Sequence, residues 1–389
     1  MLKHTSGGKV AAATEAVGKP ARRRFLTGTA AGVAAAGFPM VSFAQTQVLQ
    51  FQSTWPSRDI FHEYAADFVR TVNEMSGGRL RMNLLPTSSV VGSFRLQDAV
   101  IKGVLDGGHG VAAYWYGKSK AFSLFGTPPP FGWDAHQFLG WIKYGGGQQL
   151  YDELLERMKL DLVGFLAGPI PTQPLGWFRE PIRSVKQFKG LKYRTVGLAA
   201  DVMREVGAAV TILGFGDVVA ALERGLLDGA EINGPSSDRL LGLPEVSKTL
   251  MMRSYHQDCE SFEIIFNRTR FRQLSPELQA ILKYAAEASS SDMYWKAMRR
   301  YPEDLEKMRR DEGVKTYITP DEILDAQLKA WDVVIEREST ADPFFRRVID
   351  SQRAYCQKTV AFHIENNAPK EPAYRHFFGR SPAADSSKL

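Results

Sequence analysis

The 389-residue chain has little of what most enzymes and metal sites are built from: two cysteines, Cys259 and Cys356, and seven histidines. Two cysteines so far apart make no disulfide framework, and unpaired, mostly buried thiols are expected even in an oxidising compartment. None of the histidines stands in an HExxH or CxxC-type metal pattern, and there is no GxSxG nucleophile elbow. Gly145-Gly146-Gly147 lacks the Lys-Ser/Thr that a phosphate cradle needs, so it reads as a turn or helix break. No stretch after the N-terminal segment approaches the roughly 18 apolar residues that would span a bilayer. A one-sided charge is missing too. The net charge is +6, but Lys3, Lys9, Lys19, Arg22, Arg23 and Arg24 face only Glu15 in residues 1–44, so the remainder is close to neutral. That excludes an electrostatic case for nucleic-acid binding.

What is present begins with an export signal. Arg22-Arg23-Arg24-Phe25-Leu26 resembles the twin-arginine motif, followed by an Ala/Gly-rich stretch and by Ser42-Phe43-Ala44, which suits a signal peptidase. The mature protein is expected to start at Gln45 and to be periplasmic. Residues 48–51 then read as a strand. Ile60, Phe61, Tyr64, Phe68, Val72 and Met75 follow at helical spacing, Gly77-Gly78 ends the helix, and Leu80, Met82 and Leu84 alternate as in a half-buried strand. This is a βαβ beginning, and it predicts an α/β sheet.

An internal echo predicts two such units. Ala99-Val-Ile-Lys-Gly-Val-Leu-Asp-Gly107 parallels Ala221-Leu-Glu-Arg-Gly-Leu-Leu-Asp-Gly229. In each, a helix ends in a basic residue and a glycine that lets the chain turn into a strand. Beyond Asn267 the chain becomes helical, with N-cap signals at Ser275-Pro276-Glu277 and a capping box at Thr319-Pro320-Asp321-Glu322. A last helix near residues 342–366 carries Phe345, Val348, Ile349, Gln352, Tyr355, Cys356 and Phe362 along one stripe.

Three segments suit binding. Gly190-Leu-Lys-Tyr-Arg194 ends in an arginine between apolar residues, and Arg has the planar donor fork that matches a carboxylate. Ala230-Glu-Ile-Asn-Gly-Pro235 puts an acid, Glu231, with Asn233 nearby, at a strand just after the second echo; a buried acid is costly unless paired or metal-bound. Pro171-Thr-Gln-Pro174 contributes Gln173. A fourth cluster, His256-Gln-Asp-Cys-Glu260, has metal-ligand composition, but neighbours on a strand face opposite ways and at most two or three converge.

On these segments, and on Phe131 to Gly147 with Trp133, Trp141 and Tyr144, residues 46–370 resemble the solute receptors of tripartite ATP-independent periplasmic (TRAP) transporters, in the C4-dicarboxylate-binding (DctP) family. The subgroup resembled binds 2-oxo acids, often through Na⁺ or Ca²⁺. The resemblance implies a two-lobed α/β binding protein with a mixed sheet in each lobe and a helical C-terminal segment. The expected boundaries are 1–44 for the signal, 45–168 for lobe I with a return near 256–300, 169–255 for lobe II, and 301–389 for C-terminal helices that dimerise. It implies no catalysis, a small organic carboxylate as ligand, and a membrane permease as partner. Matched by position, Arg194 is the carboxylate-binding arginine, and Gln173, Tyr114 and Tyr116 are further ligand contacts; Asn233 and His256, in the same segments, are expected to join them. Glu231, Gln173 and Gln257 are the metal ligands. Ile232 replaces the subgroup's Trp, and Tyr255-His256-Gln257 replaces a Trp-Trp-Glu stretch, so one acid is expected to be missing. A secreted enzyme acting on a carboxylate and a sensor-coupled receptor are the alternatives left open by the residues alone.

Overall fold

The computed structural model describes residues 46–379, so the signal segment 1–44 lies outside the described residues. Eleven strands form two sheets: β1 Gln47–Ser53, β2 Leu80–Leu85, β3 Gly107–Gly110, β4 Leu162–Ile170, β5 Gly176–Phe178, β6 Lys192–Arg194, β7 Ala209–Thr211, β8 Gly229–Ala230, β9 Thr249–Met252, β10 Glu260–Asn267 and β11 Lys315–Ile318. One sheet has the order β2-β1-β3-β10-β4, the other β11-β9-β5-β8-β6-β7. Both are mixed. β1 runs parallel to β2 and β3 while β10 is antiparallel to β3 and β4; β6 runs parallel to β7 and β8 while β5 is antiparallel to β8 and β9.

The echo separates as expected. The helix Leu96–Ile101 turns through Gly103 (φ 69°) into β3 of the first sheet, and the helix Phe215–Glu223 turns through Gly225 (φ 71°) into β8 of the second. Each copy thus delivers its glycine-led strand to the interior of its own sheet. The opening βαβ unit is also as read, with the helix Ile60–Met75 capped by Asp59, whose side chain accepts from the Phe61 N–H.

Three segments cross between the sheets. Residues 171–175 join β4 to β5, residues 253–259 join β9 to β10, and the 36-residue helix Pro276–Asp311 leads from the first sheet toward β11. That helix touches both sides: Ser290 Oγ accepts from the Gly168 N–H at β4, and Asp304 accepts from Ser236 and Arg239 of the helix Pro235–Leu241. The lobes also meet directly. Phe215 lies 5.2 Å from Trp55 between ring centres, Ser237 donates to Asp59 at 2.8 Å, and Arg58 donates to the Leu241 carbonyl. This is the closed arrangement.

Three sequence expectations are corrected. The boundary at 301 cuts off β11, which belongs to the second sheet. The capping box does not form: Thr319 Oγ1 donates to the Met252 carbonyl and Glu322 accepts from the Val185 N–H, so tertiary partners outcompete the local cap. In the helix Pro343–Asn366, Phe345, Val348, Ile349, Gln352 and Cys356 are buried within the chain itself, and Gln352 donates to the Leu124 carbonyl. Only from residue 361 onward is the tail fully exposed. Both cysteines are free and buried.

Gly176 opens β5 with φ 127°, and a Cβ there would lie 2.5 Å from the Ala230 carbonyl oxygen. The strand pair that carries the Glu231 segment therefore requires glycine. Gly176→Ala is expected to destabilise the protein by more than about 1 kcal/mol in chemical denaturation; a change within about 0.5 kcal/mol would refute the close approach as a constraint.

Candidate functional site

Four chain segments supply the predicted residues. The end of β6 supplies Arg194, the turn after β8 supplies Glu231 and Asn233, and the two crossing segments supply Gln173 and Gln257. The turn is held from below by Asp238, which accepts from the Asn233 N–H and from Trp177 Nε1 at 2.7 Å. The crossings are held to each other by a hydrogen bond from the Gln173 N–H to the Gln257 carbonyl at 3.1 Å. Pro171 and Pro174 keep the first crossing extended, which suits a strand-to-strand connection.

Arg194 is fully buried. Its Nε and Nη2 donate to the Leu213 carbonyl at 2.9 and 2.8 Å, and its Nη1 donates to the Glu231 carbonyl at 2.7 Å and to Glu231 Oε1 at 3.0 Å. Its guanidinium also lies over the Phe215 ring at 5.2 Å. The expectation of a fork open toward the ligand is thus corrected. Four of its five donor hydrogens serve the protein, and one on Nη2 remains for a ligand.

Glu231 keeps its second oxygen, Oε2, buried and outside any close hydrogen bond, although the Thr195 hydroxyl lies near its carboxyl. Burial pushes its carboxyl up to about 7 in spite of the Arg194 charge. Gln173 Nε2 donates to Glu260 Oε2 at 2.6 Å, while Gln173 Oε1 has no partner. Both polar atoms of Gln257 and both of Asn233 are likewise buried and unpartnered. A native fold leaves few such atoms, because each forfeits about 1–3 kcal/mol of solvation. Of these groups, Gln173 is joined to Gln257 through the backbone, and the charges of Glu231 and Arg194 act on Glu260.

Tyr114 belongs to this group: its hydroxyl is buried without a partner, and the charges of Arg194, Glu260 and Glu231 all bear on it. Tyr116 does not. Its hydroxyl donates to Asp201 at 2.7 Å, in an ion-pair network with Lys120, Arg204 and Arg337. The resemblance put both tyrosines among the ligand contacts; in the 3₁₀ turn of residues 112–115 and its C-cap, their hydroxyls have different surroundings. His256 is fully buried, with Nδ1 2.6 Å from Ser254 Oγ and Nε2 3.5 Å from Tyr193 Oη. Burial and the Arg194 charge push it down to about 3, so it is neutral and holds its crossing segment.

One residue was missed. An acid near the expected gap at Tyr255 is Glu260, at the first position of β10, which accepts from Gln173. Burial, reinforced by the Glu231 charge, pushes its carboxyl up to about 8. The signal was in the polar cluster at 256–260, set aside because strand neighbours face opposite ways. Among the described residues no group of three or more His, Cys, Asp or Glu is gathered for a metal, so any cation would lean on amide oxygens. No described helix is long and apolar enough to cross a membrane.

Two mixed sheets closing on a ring of buried, unpartnered polar atoms, with three crossing segments between them, define a two-lobed ligand-enclosing receptor. Residues 51–339 match the family described as bacterial extracellular solute-binding protein, family 7 (DctP), and the chain belongs to that family as a TRAP-type solute receptor. Over 371 residues it is 29% identical to the monocarboxylate 2-oxoacid-binding periplasmic protein of Nostoc sp., covering 92% of this chain and all of that one. A TRAP solute-binding protein of Bordetella bronchiseptica, solved as a mixed-occupancy dimer with copurified calcium and picolinate in one site, superposes with a TM-score of 0.80 at 26% identity, over 86% of this chain and 98% of that one. A TRAP periplasmic solute-binding protein of Colwellia psychrerythraea with bound calcium and pyruvate gives 0.79 at 28% identity, over 86% of this chain and all of that one.

The two raised carboxyls set a pH dependence for the ligand-free, cation-depleted closed form. Folded Glu231 and Glu260 sit above the ordinary value of 4.5, so the folded state holds more protons than the unfolded one across this window. Their contribution is therefore most favourable below about pH 4.5 and is lost as pH rises through about 7 to 8. Glu260→Gln is expected to flatten this decline by roughly 1–3 kcal/mol between about pH 5 and pH 8. Parallel melting curves of wild type and variant with identical pH slopes would show that these carboxyls do not share a desolvated site.

Proposed function

We propose that this receptor captures a small 2-oxo or 2-hydroxy carboxylate together with Na⁺ or Ca²⁺, and delivers it to the membrane permease of a TRAP transporter. The observation that carries this reading is the set of buried, unpartnered oxygens of Gln173, Glu231, Asn233 and Gln257 around the buried Arg194. An acid and several amide oxygens are hard ligands of the kind Na⁺ and Ca²⁺ take. Glu231, Gln173 and Gln257 would hold the cation, which supplies the positive charge that lets an anionic ligand lie beside two acids. The remaining Nη2 hydrogen of Arg194 and the Tyr114 hydroxyl would orient the carboxylate. Closure then excludes water and strengthens each of these contacts. The Nostoc relative's 2-oxoacid ligand and the calcium with pyruvate in the Colwellia protein support the same choice. Residues 1–44 are read as the twin-arginine leader that brings the receptor to the periplasm.

Calorimetry with pyruvate on chelator-treated protein tests this directly. Binding is expected to tighten at least about tenfold when Ca²⁺ or Na⁺ is restored, and Arg194→Lys, which cannot reproduce the planar donor pattern, is expected to weaken it by a similar factor. Equal affinity with and without cations would remove the metal, and undiminished binding by the Arg194 variant would remove the anchor.

The exposed tail fits a homodimer. Phe362, Ile364, Phe377 and Phe378 are each more than half exposed on one short stretch, and the Bordetella protein is described as a dimer. Light scattering is expected to give a dimer for the mature chain and a monomer for a chain ended after Val360. A wild type that stays monomeric at every concentration would overturn the assembly.

A further inference from the structure

The buried, unpartnered atoms do not end at the carboxylate end of the cleft. Asp59 Oδ2, Tyr64 Oη and Tyr301 Oη are also buried without partners, and they come from three places: the cap of the helix Ile60–Met75, its second turn, and the long crossing helix. Asp59 Oδ1 is fixed by the Phe61 N–H at 3.0 Å and by Ser237 Oγ at 2.8 Å from the opposite lobe, so the free oxygen is held rigidly. The Tyr301 ring lies against the Asn233 turn: a Cβ on Gly234 would sit 2.7 Å from it. Burial and the nearby Tyr64, Asp59, Asp238 and Glu260 groups all act on the Tyr301 hydroxyl, which ties this trio to the acid end of the site. The wall beside it is apolar, with Phe61 and Phe262 in edge contact at 4.5 Å and Tyr64 packed on both.

A ligand ending in a methyl group would leave these three atoms unpaired. An acceptor-only carboxylate oxygen and two nearby hydroxyls are matched by a group that can both donate and accept. We propose that Asp59, Tyr64 and Tyr301 form a second polar subsite that binds a hydroxyl at the far end of the ligand, so that the preferred substrates are hydroxylated 2-oxo carboxylates. This rests on the carboxylate reading above and narrows it.

The test compares matched pairs, pyruvate against hydroxypyruvate and 2-oxobutyrate against its terminally hydroxylated form, by calorimetry on the mature protein with Ca²⁺ present. The hydroxylated member of at least one pair is expected to bind roughly ten- to a hundredfold tighter. Tyr301→Phe and Asp59→Asn, the second of which keeps a side chain able to cap the helix, are each expected to bring that ratio toward one, with melting curves confirming that both variants fold. Plain acids that bind as tightly as their hydroxylated partners would overturn the subsite, as would a preference that survives in both variants; a buried water would then satisfy the three atoms. Failure of every acid to bind would overturn the carboxylate reading and the subsite together, an outcome distinct from binding with a ratio of one.

Discussion

The contact on which the site depends is the buried ion pair between Arg194 and Glu231. Both side chains are withdrawn from water, and a pair in that position gains little net stability because desolvation offsets its attraction. What it gains is position. The same guanidinium that meets Glu231 Oε1 also grips the Glu231 carbonyl and, with two donors, the Leu213 carbonyl. The end of β6, the segment entering the helix Phe215–Glu223 and the turn after β8 are therefore locked around one planar group. Loss of Arg194 would release three pieces of backbone as well as one charge. The pair also leaves Glu231 Oε2 unpartnered and aimed by a fixed neighbour, which is how an acid becomes a binding atom.

Closure follows from the same accounting of polar groups. When the lobes meet, Gln173, Asn233, Gln257 and Glu231 are buried with oxygens unpartnered, at about 1–3 kcal/mol each. Against that stand the aromatic contacts of Phe215 with Trp55, Phe61 and Tyr114, the Ser237–Asp59 bond, and the ion pairs from Lys120 to Asp201 and Glu338. The two sets are opposed. A ligand that satisfies the orphan atoms shifts the balance toward the closed form by its differential affinity for that form. A receptor whose site were fully self-satisfied would close without cargo, and the permease could not tell a loaded receptor from an empty one.

Much of this was legible in the sequence because the relevant signals are local. The helical spacing from Ile60 to Met75, the glycine-ended echo helices and the Gly146 break between two helices each depend on a few neighbouring residues, and each appears where it was read. Arg194, Gln173, Glu231, Asn233 and Gln257 were legible as polar residues placed in apolar or turn-rich company. What sequence could not give was partnership. Whether Arg194 faces the ligand or Glu231, and whether Tyr116 faces the cleft or Asp201, depends on segments 37 and 85 positions away. The capping box failed for the same reason, since Thr319 and Glu322 have better partners on other elements.

Glu260 shows how a composition signal can be right about chemistry and wrong about geometry. The cluster at 256–260 contains His256, Gln257, Asp258 and Glu260, and it was discounted because strand neighbours diverge. Here the cluster is a crossing segment up to Cys259, and only Glu260 begins the strand. A crossing is free of the two-residue alternation, so Gln257 and Glu260, three apart, both reach Gln173: one through its carbonyl, one through its carboxylate. A second acid thus stands beside Gln173 although the expected position holds Gln257. Burial holds both acids above their ordinary range, so their ionisation creates a demand for positive charge that one partly committed arginine does not fill. That demand is what a cation bound with the carboxylate would meet, and it needs no third acidic ligand to do so.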